Sequence, residues 1–291
     1  MQKLRVFQSL WAMERRHADG FEPSLEENIA RIEAAGFDGI SAHYTDRAAV
    51  ERLNRATQGT GLGIEGVCFP RSVDDLRLPL ELATEFPVRH LNLQPDIRPR
   101  RVQDCLPLLD GWMELAQRAG VPVLIETHRD RMTTDLHFTL DLLDARPGLP
   151  LLADLSHFLV GREFAFPVDV ENHAMIHRIL RNSWAFHGRV ASREQVQVEI
   201  SFPQHRPWLD LFLDWWEHGF RDWSARSAPD AELIFTCELG PKPYAITGAY
   251  GEELSDRWSE ALSLREMVLT LWQRVQGLRP ARQPQLSTCG P

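Results

Sequence analysis

Six residues of this 291-residue chain sit where side-chain chemistry is hard to explain by packing alone. Glu126 and His128 close the apolar run in "LIETHRD", Asp154 and His157 stand in "DLSH", His187 in "WAFHG", and Glu238 in "CELG". In an extended strand residues i and i+2 point to one face, so Leu124, Glu126 and His128 project together, as do Ile234, Thr236 and Glu238. Carboxylates and imidazoles gathered at the ends of apolar strands repel one another and resist ionisation unless a cation lies between them. Oxygen and nitrogen ligands without a thiolate suit Mn²⁺, Mg²⁺, Co²⁺ or Zn²⁺, and the ligand types alone leave that choice open.

The segments that must position these residues alternate regularly. "LRVFQSLW" is strand-like, and "SLEENIARIEAAG" follows with Leu25, Ile29 and Ile32 at helical spacing and a terminal glycine. The pattern returns with a period of about 30 residues, the length of one βα unit. It runs through strands at "FDGISAHY", "GIEGVCF", "VRHLNLQ", "VPVLIETH", "LPLLADLSHF", "WAFHGRV" and "AELIFTCEL". Eight strands alternating with eight helices predict a single-domain α/β fold, a (β/α)₈ TIM barrel over residues 1–278, with a polar, Pro-rich flexible tail at 279–291. A doubly wound open sheet is the alternative, but the chain carries neither a Gly-rich dinucleotide fingerprint nor a phosphate loop. In a barrel the strand C-termini share one face, and four consecutive strands, five to eight, end there on metal-competent residues.

Composition limits the partners. A net charge of −9 argues against nucleic acid, whose recognition depends on clustered Lys and Arg. No apolar run approaches the roughly 18 residues needed to span a bilayer, and no secretory leader opens the chain. Cys68, Cys105, Cys237 and Cys289 show no paired spacing and read as reduced thiols of a cytoplasmic protein. The expected partner is therefore a small molecule. His43, at the end of strand two, and His128 are expected to line the pocket without holding the metal. The helix "WLDLFLDWWEHGFRDW" reads as packing, or as the interface of a homo-oligomer, rather than as a ligand platform. The other histidines, His90 among them, are read as structural or surface residues.

The order Glu126, Asp154 with His157, His187 with Arg193, and Glu238 resembles the xylose isomerase-like barrel superfamily, especially its sugar epimerase and isomerase branch. The resemblance spans nearly the whole barrel. It implies one divalent ion, often Mn²⁺, on Glu126, Asp154, His187 and Glu238. It also implies substrate-oxygen contacts from His157 and Arg193, and proton exchange by Glu126 and Glu238 on opposite faces. The implied function is a metal-dependent isomerase or epimerase of a small polyhydroxylated keto compound, working by α-proton transfer through a metal-stabilised enediolate. Loss of a β-leaving group from the same enediolate would instead make a lyase or dehydratase acting on a keto-sugar, keto-inositol or dehydroshikimate-like acid. A ligand-binding barrel without turnover is a third reading. The chain departs from the branch after Arg193, where "EQVQVEISFPQHRPW" is longer and holds no D-x-H. That D-x-H, with added histidines on strands three and four, marks the superfamily's DNA-repair endonucleases, so the nuclease reading is disfavoured.

Overall fold

A computed structural model describes residues 1–277, so the expected tail at 279–291, with Cys289, lies outside the described residues. Eight strands close into one parallel barrel in sequence order. They are β1 Lys3–Ser9, β2 Gly39–His43, β3 Gly63–Cys68, β4 His90–Leu93, β5 Val123–Glu126, β6 Leu151–Ala153, β7 Ser183–Gly188 and β8 Glu232–Cys237. Pairing of β1 with β8 over six registered positions completes the ring. This is the predicted (β/α)₈ barrel.

The helices are α1 Leu25–Ala34, α2 Arg47–Thr57, α3 Arg77–Glu85, α4 Val102–Ala119, α5 Leu136–Ala145, α6 Ser156–Gly161, α7 Val170–Arg181, α8 Arg206–Arg226 and α9 Arg257–Val275. Among the described residues there is one more than the sequence pattern predicts. The extra one, α6, is too short to show a helical period, and it carries His157 just past β6. Local chemistry sets several helix starts. Ser24 and Glu27 form a capping box at α1, while Asp46, Asp135 and Asp169 accept the orphan N–H groups of α2, α5 and α7. Three of the four tryptophans of α8 pack inward: Trp215, Trp216 and Trp223 are buried, with Trp216 edge-on to Phe235 and Trp223 near Trp272 of α9, while Trp208 is half-buried. Their role is therefore packing within the chain.

The barrel interior is built in layers. Phe7, Leu124, Leu152, Ala185 and Ile234 form an apolar plug separate from the larger core between sheet and helices. Gly39 and Gly63 face the Phe7 ring, and a Cβ at Gly39 would stand 2.5 Å from it. Two residues further along their strands, the same inward faces turn polar: Leu124 gives way to Glu126, Leu152 to Asp154, Ala185 to His187, and Ile234 to Thr236 and then Glu238. The plug thus supports a polar layer at the C-terminal mouth.

Candidate metal centre

Glu126, Asp154, His187 and Glu238 each offer one ligand atom to a common point, all within 4.8 Å of one another. The four are buried, and each is fixed on one side. Glu126 Oε2 accepts from the Asn92 side-chain amide and, at 2.8 Å, from Gln94 Nε2. Asp154 Oδ1 accepts from Ser156 Oγ at 2.5 Å and from the Ser156 N–H at 3.0 Å. His187 Nε2 lies 2.9 Å from Glu65 Oε1, and Glu238 Oε2 accepts from Arg189 Nη2 at 2.7 Å. The opposite atoms, Glu126 Oε1, Asp154 Oδ2 and His187 Nδ1, are buried without a hydrogen-bond partner. Buried polar atoms seldom lack partners, and three orphans converging from three strands fit a divalent cation with hard and borderline ligands.

Glu65, on β3, organises the layer below. Its other oxygen lies 2.9 Å from His90 Nε2 and 3.3 Å from the Thr236 hydroxyl. Burial works against its charge, but His187 and His90 hold its carboxyl well below the usual range. With Glu65 ionised, His187 Nε2 donates to it, and Nδ1 faces Glu238 Oε2 at 3.0 Å, where a bound cation would take the place of the Nδ1 proton. Burial also opposes charge on His187, yet Glu238, Glu65 and Glu126 raise its pKa well above the ordinary value. Asp154 is pushed up to about 6 by burial, although Arg189 counteracts this. Glu238 stays ionised, lowered to about 2 by His187 and Arg189 in spite of its burial.

Arg189, two residues beyond His187, is a residue of the candidate site that the sequence reading does not single out. Its guanidinium is buried between Asp154, whose Oδ2 lies 3.4 Å from Nε, and Glu238, and its Nη1 has no acceptor within the protein. Aromatic rings flank it, with its guanidinium 5.6 Å from the Trp11 centroid and 5.1 Å from that of Tyr244. A basic residue at i+2 from a strand-end histidine was the available signal. Glu65 is hidden inside an apolar run, and His90, expected to be structural, sits at the start of β4 and touches the carboxylate that holds His187.

A cavity of about 460 Å³ opens above the centre and reaches Glu238, Arg189, Gln94, His128 and His43. His128 does not extend β5, which stops at Glu126, so its place owes nothing to strand parity. A turn held by Thr133, which donates to the Glu126 carbonyl and accepts from the His128 N–H, brings its ring within 3.9 Å of the His157 ring. Both rings are kept neutral, chiefly by burial. His128 and His157 also form a three-residue group with Glu126. Arg193 lies elsewhere: its half-exposed side chain faces Glu163 at 3.7 Å, on the loop after β7. That loop packs against the next one, with Gln197 bonding Gly240 and Glu199 accepting from the Ile246 N–H.

No protein-family model and no curated protein matches the chain. Solved structures do. A xylose isomerase-like TIM barrel protein from Mycobacterium smegmatis, solved with magnesium, aligns over 94% of this chain and 97% of its own at TM-score 0.61 and 13% identity. The fold is that of the xylose isomerase-like barrels. The 3-keto-D-glucoside 4-epimerase YcjR from E. coli aligns over 92% and 100% of the two chains, with TM-score 0.53 and 13% identity. A probable 3-DHS dehydratase from Bacillus anthracis, AsbF, aligns over 91% of this chain and 98% of its own, at TM-score 0.54 and 15% identity.

Proposed function

We propose that this xylose isomerase-like barrel is a divalent-metal-dependent isomerase or epimerase of a small polyhydroxylated keto compound. One observation carries the reading: each member of the Glu126, Asp154, His187 and Glu238 set is anchored through one atom, and three of them leave an unpartnered atom facing a shared point. A divalent ion held there, Mn²⁺ in first place with Mg²⁺, Co²⁺ or Zn²⁺ as alternatives, supplies Lewis-acid stabilisation of negative charge developing on a substrate oxygen. Among the structural neighbours, a 3-keto-glucoside epimerase and a magnesium complex lend support.

The chain's own residues do the remainder. Glu238, which faces the cavity and is held ionised, takes the α-proton, and Glu126, starting protonated, gives its own proton from the other face, so one turnover exchanges the protonation states of the two carboxyls. Asn92 and Gln94 fix Glu126 for that role, and the apolar plug below keeps bulk water away. Arg189, whose Nη1 has no acceptor within the protein, contacts substrate oxygens together with His128 and His43 of the cavity wall, and His157, buried behind His128 with both ring nitrogens unpartnered, supports them. Arg193, expected in that role by resemblance, joins this set only through movement of its loop.

A metal-dependent lyase or dehydratase shares the same proton-abstraction step and has its own structural neighbour in the dehydratase-like barrel. Product mass separates the two, since elimination changes it and isomerisation does not. Among the described residues no helix is long and apolar enough to cross a membrane. The buried free thiols of Cys68, Cys105 and Cys237 support a cytoplasmic location, and the net charge of −9 a small-molecule rather than nucleic-acid partner.

The test is α-proton exchange in deuterated solvent with metal-loaded protein. Glu126→Gln and Glu238→Gln should each slow exchange by about 10²–10⁴-fold, the usual contribution of a positioned acid or base. Undiminished exchange in both variants would end the proton-transfer assignment, and elemental analysis finding no divalent metal would end the metal assignment.

A further inference from the structure

The cavity has a second half that the proton-transfer reading does not use. Beyond Arg189 and Glu238 it runs between the β1 loop, α1, α2 and the end of β3, where Leu10, Trp11, Leu25, Leu53 and Phe69 form its wall. Charged residues of this half, Glu14 and Arg52, are exposed at the mouth rather than buried in the wall. The total volume of about 460 Å³ falls within the roughly 300–1,000 Å³ of pockets that enclose drug-sized ligands. A single sugar ring seated against Glu238 and Arg189 leaves much of that space unfilled. A hydroxyl pressed onto Leu10, Leu25 or Leu53 would lose water without gaining a partner.

The seam between the two halves is aromatic. Trp11 meets Tyr244 edge to face at 5.2 Å, and Arg189 lies beside both rings. Across the slot, Phe69 meets His43 edge to face at 5.3 Å. Flat walls of this kind favour a flat apolar group. A phosphate would find little there, because Arg52 is exposed at the mouth and Arg131 already faces Asp96 at 3.4 Å and Asp130 at 3.7 Å.

We infer that the substrate is a keto-sugar bearing an aromatic substituent, an aryl glycoside rather than a free monosaccharide or a sugar phosphate. The sugar occupies the Glu238 and Arg189 half, and the aryl group the slot between α1 and α2. This inference rests on the keto-sugar reading above. The probes are methyl and phenyl β-glucosides oxidised to the ketone at C3, titrated calorimetrically into Mn²⁺-loaded protein, with a phosphorylated ketose as a third ligand. The phenyl compound should bind at least tenfold more tightly than the methyl compound, in line with the 10–200-fold that about one methylene contributes in an apolar pocket. Leu25→Gln, at the half-buried start of α1, should reduce that ratio several-fold, and Phe69→Ala gives the same readout should the first variant fold poorly. Equal affinity for the two glucosides, or preference for the phosphorylated ketose, overturns this inference and leaves the keto-sugar reading intact. Failure of metal-loaded protein to bind any of the three overturns both.

Discussion

Glu65 illustrates how much of the centre depends on a residue that touches no substrate. Its carboxylate orients His187 from below, and histidines that hold metals usually need such a partner. Glu65→Gln should weaken divalent-ion affinity by about 10–100-fold, measured by calorimetry, while the far-ultraviolet dichroism stays unchanged. An unaltered affinity would show that His187 is oriented by packing alone. The six residues singled out from the sequence were legible because each interrupts an apolar run, which side-chain chemistry makes conspicuous. Arg189 and Glu65 were not, because their meaning comes from partners such as Glu238 and His90, which lie far away along the chain.

Among the elements, the strands around the plug beneath the centre leave little room for added volume. A methyl group at Gly39 would meet both the Phe7 ring and the Gly63 carbonyl at 2.5 Å. Gly39→Ala is expected to destabilise the fold by about 1–3 kcal/mol through overpacking, read from the midpoint of urea unfolding. Helices α7 and α8 carry a pH response distant from the mouth. His177 stacks on His218 with centroids 3.6 Å apart, and burial together with His218, His173 and Arg181 lowers its pKa to about 4. The folded pKa lies below the unfolded one, near 6.5, so the unfolded chain binds the extra proton first. Stability is therefore fully present above about pH 6.5 and declines as pH falls toward 4. His177→Gln should flatten melting temperature against pH across that window, and an unchanged slope would exclude this pair as its source. Burial lowers the pKa of His218 as well, with Asp222 opposing the shift, so its response has the same sign as that of His177.

For the whole molecule, the polar layer makes folding and ion binding interdependent. Converging carboxylates are held together in the native state and are far apart in the unfolded chain, so an ion that binds only the former stabilises it. Divalent metal at about a hundredfold over its Kd should add about 2.7 kcal/mol, seen as a rise in melting temperature that EDTA reverses. Equal melting temperatures with metal and with chelator would contradict the proposed centre.

By itself the sequence determined the alternation of strands and helices, their number of strands, and the strand ends on which Glu126, Asp154, His187 and Glu238 stand. Those features follow from local periodicity and from the misfit of a charged side chain in an apolar run, both of which operate over a few residues. Tertiary structure alone decided that Arg189 rather than Arg193 enters the cavity, that Glu65 holds His187, and that His128 arrives by a turn. It also turned three tryptophans of α8 inward and opened the apolar half of the pocket. Barrel closure brings β1 beside β8 and sets side chains more than a hundred residues apart into contact, such as Glu65 with His187, and no local pattern encodes which of them will meet.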